Sequence, residues 1–100
     1  MTETKPERRF QAELIKEIKS RFNGCMVMKL DSSYIQGILD LLVLYKDKWA
    51  TLECKKKSGA SKRPNQEHYV ERMNEMSFSR FICPENKEAI LDELQQALNS

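Results

Sequence analysis

The stretch Gly37-Ile38-Leu39-Asp40-Leu41-Leu42-Val43-Leu44-Tyr45 is followed, after Lys46-Asp47-Lys48, by Trp49-Ala50-Thr51-Leu52-Glu53-Cys54-Lys55. Both apolar runs read as strands, Ile38 to Tyr45 and Trp49 to Lys55, and the polar triplet between them reads as a hairpin turn. Gly37 marks the start of the first run. That run is apolar on both faces apart from Asp40, which predicts a central place in a sheet. Side chains alternate along a strand, so Glu53 and Lys55 share a face while Cys54 points the other way. With the turn centred near Asp47, residues whose numbers sum to about 94 lie opposite each other. Asp40 then falls near Cys54, within one residue of both Glu53 and Lys55, and can approach Glu53 across the ladder.

A carboxylate inside an apolar strand is costly to bury unless something pairs with it. Two carboxylates brought together repel, and a pKa rises unless a cation sits between them. Asp40 and Glu53 are therefore candidate ligands of Mg²⁺, which takes hard oxygen donors and keeps several waters. Lys55 beside them could orient or help deprotonate an attacking water, or stabilise charge building on a phosphate. This is the chemistry of a metal-dependent phosphodiesterase. A salt bridge of Lys55 with Asp40 or Glu53 at a strand end is the plainer alternative, and the residues alone leave both open. Lys56, Lys57, Lys62 and Arg63 follow directly. The formal net charge is only +2, but a basic cluster beside paired carboxylates suits a polyanionic substrate. An ordinary solvated lysine-rich loop is the alternative for that run.

Outward from this hairpin, the N-terminal side reads as a helix from Pro6, with Phe10, Leu14, Ile18 and Phe22 in one stripe and Asn23-Gly24 as its stop. Cys25 to Leu30 reads as a first strand and Asp31-Ser32-Ser33 as a loop. On the C-terminal side, Lys56 to Arg63 is a basic loop, and Pro64 opens a helix through Met76 with Tyr69, Val70 and Met73 inward. Ser79 to Cys83 reads as a fourth strand. Pro84-Glu85-Asn86 leads into a last helix with Ile90, Leu91, Leu94 and Leu98 inward. The expectation is one α/β domain over residues 1–100, in the order α-β-β-β-α-β-α, with residues 1–5 as a tail and no repeat or linker. Met26, Met28, Met73 and Met76 read as core filler, Trp49 as core or subunit interface, and His68 as a surface or phosphate-contacting residue. Cys25, Cys54 and Cys83 lack zinc-ligand spacing and read as reduced thiols. With a polar N-terminus and no apolar run long enough to span a bilayer, the chain reads as cytoplasmic, with no membrane partner.

Gly37-Ile38-Leu39-Asp40, the Glu53-Cys54-Lys55 triplet and Gln66 together resemble the PD-(D/E)XK nuclease superfamily. Within it the chain is most similar to small stand-alone VRR-NUC nucleases of phage and bacterial type, which implies a bacterial or phage-infected cell, with a motif layout also resembling archaeal Holliday-junction resolvases. Leu39 stands where a proline often precedes the aspartate. The resemblance spans nearly the whole chain and implies a restriction-endonuclease-like fold, a central mixed four-stranded sheet flanked by helices. It implies that Asp40, Glu53 and the backbone carbonyl of Cys54 bind Mg²⁺, with Mn²⁺ able to substitute. It also implies that Lys55 positions the nucleophilic water and that Gln66 sits near Lys55 or the phosphate. Taken alone, Gln66 would read as a solvated first-turn residue. The family places a glutamate of the first helix near the metal. Glu7, in Glu7-Arg8-Arg9-Phe10-Gln11, matches the start of VRR-NUC domains, while Glu13 is the match by the resolvase pattern and Glu17 is a third candidate. Helical geometry does not choose, since 7, 10, 14 and 17 share a face.

The resulting expectation is a Mg²⁺-dependent, structure-selective DNA endonuclease. It would contact DNA through Lys56, Lys57, Lys62 and Arg63, and act as a homodimer on branched DNA such as a four-way junction. A flap or single-strand nuclease is the enzymatic alternative. A non-catalytic DNA-binding relic of the fold is the alternative from another class.

Overall fold

The computed structural model describes residues 6–100; the tail expected over residues 1–5 lies outside the described residues. Helix α1 spans Pro6–Arg21, with Glu7 in its first turn and Lys19 and Arg21 in its last, the order of charges the helix dipole favours. Gly24, at φ +90°, turns the chain into strand β1, Met26–Lys29. Strands β2 (Leu41–Tyr45) and β3 (Lys48–Cys54) form the expected hairpin. Its turn is the two-residue Lys46-Asp47, because Tyr45 already pairs with Lys48. Helix α2 (Gln66–Met76), strand β4 (Phe78–Ile82) and helix α3 (Lys87–Asn99) complete the order α-β-β-β-α-β-α.

The sheet order is β1-β2-β3-β4, antiparallel except for the parallel β3–β4 pair, so it is mixed and β2 is central. α2 is the crossover that a parallel pair requires. One face of the sheet is dry. Leu41 and Val43 of β2, Ala50, Leu52 and Cys54 of β3, and Phe78 and Ile82 of β4 point there. They pack against Phe10, Leu14 and Ile18 of α1, Phe22 just past its end, and Ile90, Leu91, Leu94 and Leu98 of α3. Arg21 ties the two helices together at the surface through Glu88 and Asp92.

The opposite face is built differently. α2 lies over the β3–β4 side only: Thr51 hydrogen-bonds Ser79 at 2.9 Å and Met73 Sδ at 3.4 Å, and Asn74 accepts from the Ser79 backbone N–H. Along α2 only Gln66 is buried. Toward β1 the same face is open, which leaves Met26 and Met28 exposed, and Met76 is exposed at the end of α2, so the core expectation is corrected for all three. Met26 is 57% exposed, Met28 38% and Met76 58%, while Met73 alone packs inward, half-buried. Methionine spacing cannot say whether a helix covers a given half of a sheet.

The ends of β1, β3 and β4 differ from expectation by one residue, and two boundaries move further. β2 begins at Leu41, so Ile38 and Leu39 belong to the preceding loop and Asp40 sits at the strand's mouth. α2 begins at Gln66, because Asn65 adopts φ 72° and a left-handed residue cannot continue a helix started at Pro64.

Candidate metal centre and basic cleft

The register pairs Leu41 with Leu52 at the end of the ladder. Asp40 and Glu53 are the next residues on each strand, one residue from the register expected. Because Asp40 lies just beyond the ladder, its side chain is free to turn back. Its Oδ2 accepts the backbone N–H of Cys54 at 2.9 Å, while its own carbonyl accepts from Leu30 N–H at 2.8 Å. Glu53 sits on the face opposite Leu52 and Cys54, fully buried. Glu7, half-buried on the first turn of α1, completes the group. One carboxylate oxygen from each of Glu7, Asp40 and Glu53 lies within 4.8 Å of the others. Glu13 is exposed, and Glu17 is paired to Lys87 at 2.8 Å and Arg21 at 3.6 Å, so of the three helix-1 glutamates Glu7 is the one beside Asp40 and Glu53.

Gln66 organises this cluster. Its Nε2 donates to Glu53 Oε2 at 2.6 Å, and its Oε1 accepts from Lys55 Nζ at 2.8 Å and from the backbone N–H of Arg63 at 2.9 Å. One buried amide thus fixes a carboxylate, an ammonium and the end of the basic loop. Lys55 Nζ also donates to the Ser61 carbonyl at 3.2 Å and lies 3.7 Å from Glu53 Oε2. The plain ion-pair alternative is therefore present in part. It engages only one oxygen: Glu53 Oε1 is buried with no hydrogen-bond partner among the described residues. An orphaned carboxylate oxygen beside two further carboxylates is what a hard divalent cation would satisfy, so the donor set fits Mg²⁺.

The electrostatics follow from burial. Removal from water raises the Glu53 pKa to about 7, and the neighbouring Asp40 charge adds to the rise while Lys55 and Arg63 oppose it. Desolvation likewise raises Asp40 above the usual carboxylate range, against the Cys54 N–H bond and the same two cations. The Cys54 thiol, on the dry face, is driven far above an ordinary thiol by burial and then by the Asp40 and Glu53 charges. It is packing material, not a nucleophile.

The basic loop borders the cluster. Glu7, Lys55, Lys56, Lys57, Ser61 and Arg63 are among the residues lining an open cleft of about 520 Å³. Lys56, Lys57, Lys62 and Arg63 are all exposed. Lys62 is not free: its Nζ is 3.4 Å from Glu67 and 4.8 Å from the Phe81 ring centroid. His68 is exposed and packs edge-on against Tyr69, and Trp49 is half-buried near the start of β3.

Two features at the site escaped the sequence. Gly37, at φ +89°, packs so closely on the Pro64-Asn65 turn that a Cβ would meet Pro64 O and Asn65 Cβ at 2.6 Å. That contact locks the loop before Asp40 to the start of α2, where Gln66 sits. The lone glycine before an apolar run was the signal that could have shown it. Phe81 is the second: it pairs with Glu53 in the ladder and so stands beside the cluster on β4. No family model, curated protein or solved structure matches the chain.

Proposed function

We propose that this chain is a Mg²⁺-dependent endodeoxyribonuclease of the PD-(D/E)XK type, related to VRR-NUC nucleases, hydrolysing phosphodiester bonds in branched DNA. The observation that carries the reading is the convergence of Glu7, Asp40 and Glu53 within 4.8 Å, with Glu53 Oε1 buried and unpartnered and Lys55 beside it. Asp40, Glu53 and the Cys54 carbonyl would hold the ion, with Glu7 adjoining. When bound, Mg²⁺ or Mn²⁺ would supply Lewis acidity and lower the pKa of water at the site.

The chain's own residues do the rest. Gln66 holds Glu53 and Lys55 in one fixed geometry, so the carboxylate and the ammonium need no reorganisation when a phosphate arrives. Lys55 brings a cation to the place where negative charge builds on the phosphate or where the attacking water must be oriented. Lys56, Lys57, Lys62 and Arg63 carry the flanking phosphates along the cleft. The half-covered sheet face, with Met26 and Met28 exposed on the edge strand, supports a homodimer. Two sites related by a twofold axis suit paired incision of a four-way junction.

Incubation with four-way junction, flap, single-strand and linear duplex DNA, with and without Mg²⁺ or Mn²⁺, tests the reading. Metal-dependent cleavage that favours the branched substrates is expected. DNA bound but never cut, with any of these ions, would assign the chain to the non-catalytic alternative. A monomer by sedimentation equilibrium that stays monomeric on the four-way junction would replace the resolvase reading by the flap or single-strand one. No helix among the described residues is long and apolar enough to cross a membrane.

A further inference from the structure

Asp40 also opens onto a second recess, about 190 Å³, bounded by Ser32, Gln36 and Gly37 on one side and Arg63, Pro64 and Gln66 on the other. Between Ser32 and Gln36 the chain makes a turn whose tip is Tyr34 and Ile35. Tyr34 is 84% exposed, more than any other large apolar residue described, and the adjoining Ile35 is 37% exposed. A lone exposed aromatic on a loose loop would need no explanation. This loop is not loose. Asp31 Oδ1 accepts from the Ser33 backbone N–H at 2.9 Å and from Ser33 Oγ at 2.6 Å. The Asp31 carbonyl accepts from Tyr34 N–H at 3.1 Å, and Ile38 N–H closes a further turn on Ile35 at 3.1 Å. The far end is anchored by Gly37 against Pro64 and Asn65. The fold thus braces the backbone of a turn that carries a solvent-facing aromatic between Ser32 and Gln36, two residues of the recess wall, with Asp40 and Arg63 lining the same recess.

A solvent-facing aromatic on a braced turn near a basic groove is an arrangement on which unpaired bases stack, whereas the base faces of a continuous duplex are already covered. We propose that Tyr34, flanked by Ile35, is a stacking platform for an unpaired nucleotide next to the scissile phosphate. It would make this loop the element that selects DNA with single-stranded or unstacked positions. The inference rests on the nuclease reading above and names the substrate feature that the same site recognises.

The test is equilibrium binding by fluorescence anisotropy, with Ca²⁺ in place of Mg²⁺, of full-length wild type, Tyr34→Ala and Tyr34→Trp. The probes are a flap, a single strand and a linear duplex, each labelled. Tyr34→Ala should lose about tenfold or more on the flap and single strand and less than about twofold on the duplex, with Tyr34→Trp restoring the loss. Equal loss on all three DNAs, or none, overturns the platform. So does a change in sedimentation of Tyr34→Ala, which would place the loop between two copies of the chain. Wild-type protein that neither binds nor cuts any of the DNAs overturns the nuclease reading together with this one. Wild-type protein that cuts them while Tyr34→Ala binds the flap unchanged overturns this one alone.

Discussion

The two faces of the sheet solve opposite problems with the same strands. On the α1–α3 side Leu41, Val43, Ala50, Leu52 and Cys54 of β2 and β3 are all at 0% exposure. On the α2 side the same strands carry Thr51, Glu53 and, just past the strand end, Lys55, all buried yet polar. The dry face supplies the hydrophobic stabilisation a 100-residue chain needs. The other face gives up some of it to hold carboxylates out of water. Neighbouring residues of β3 therefore have separable roles, which single substitutions can expose.

Leu52 and Glu53 should differ most. Asp40→Ala or Glu53→Ala should reduce cleavage by more than about 100-fold, since losing only a supporting partner of a metal ligand costs about 10–100-fold. The metal-free protein should stay folded, because each change removes a desolvated, mutually repelling charge, which offsets the hydrogen bonds lost with it. Leu52→Ala should do the reverse. It should lose about 2–5 kcal/mol of stability through the cavity it leaves, with cleavage per folded molecule preserved. Denaturant melts and cleavage rates on the same preparations check both. Glu53→Ala with near-normal cleavage would dissolve the distinction between the faces.

A pH titration separates the faces in a second way. The folded-state pKa of Glu53 lies at about 7, above the 4.5 of an unperturbed glutamate. Between those values the native state keeps a proton that the unfolded chain has released, so stability falls as pH rises through the window. The raised Asp40 pKa acts in the same direction at the acidic end. The Glu53 contribution amounts to about 3 kcal/mol at most. Urea melts of metal-free protein should show this decline, Glu53→Gln should flatten it, and Mg²⁺ should stabilise most above pH 7, where the carboxylates are charged. Stability that rises across the window would refute the assignment of these groups.

How much of this was legible in the sequence divides along the same line. The periodicities of α1, α3 and the hairpin are local, so those elements and their apolar faces could be read from the residues, whereas the mixed sheet was only implied by the resemblance. The approach of Asp40 to Glu53 followed from the turn to within one residue. What failed needed knowledge of coverage or of unusual backbone. Met26, Met28 and Met76 look like core in any pattern, but α2 covers only half a face, and no residue pattern states where a crossover helix comes to rest. The α2 start slipped from Pro64 to Gln66 because Asn65 is left-handed, a conformation asparagine tolerates but does not announce. Glu7, Glu13 and Glu17 could not be separated on a helical wheel, since only the tertiary packing shows which end of α1 lies above Asp40.

Gly37 and Gly24 make a smaller, paired test. Both have φ near +90°, but a Cβ at Gly24 would meet nothing within 4 Å, while at Gly37 it meets Pro64 O and Asn65 Cβ at 2.6 Å. Gly24→Ala should cost roughly 1 kcal/mol, the strain of the left-handed region alone. Gly37→Ala should cost about 1–3 kcal/mol and also displace Gln66, so its cleavage should fall further than its stability explains. Equal effects of the two substitutions on cleavage would detach the loop from the site.

The least effect is expected within the basic loop, and its graded pattern tests the open face. Removing a side chain that neutralises one phosphate should reduce the slope of log binding constant against log salt by about 0.7–0.9. Lys56 and Lys57 are exposed and line the cleft with Glu7 and Lys55, so their replacement by alanine should approach that value. Lys62 is already engaged, 3.4 Å from Glu67 and over the Phe81 ring, so a phosphate must displace these partners before it gains the lysine. Its net contribution is the difference between two attractions, and Lys62→Ala should change the slope by less than either neighbour does. Glu67→Gln should then raise DNA affinity slightly by releasing Lys62, an effect absent in the double variant with Lys62→Ala. Binding titrations across a salt series resolve these differences. A Lys62→Ala slope change equal to that of Lys57→Ala would mean that the lysine is as available to phosphate as its neighbours, and that the Glu67 carboxylate does not hold it in solution.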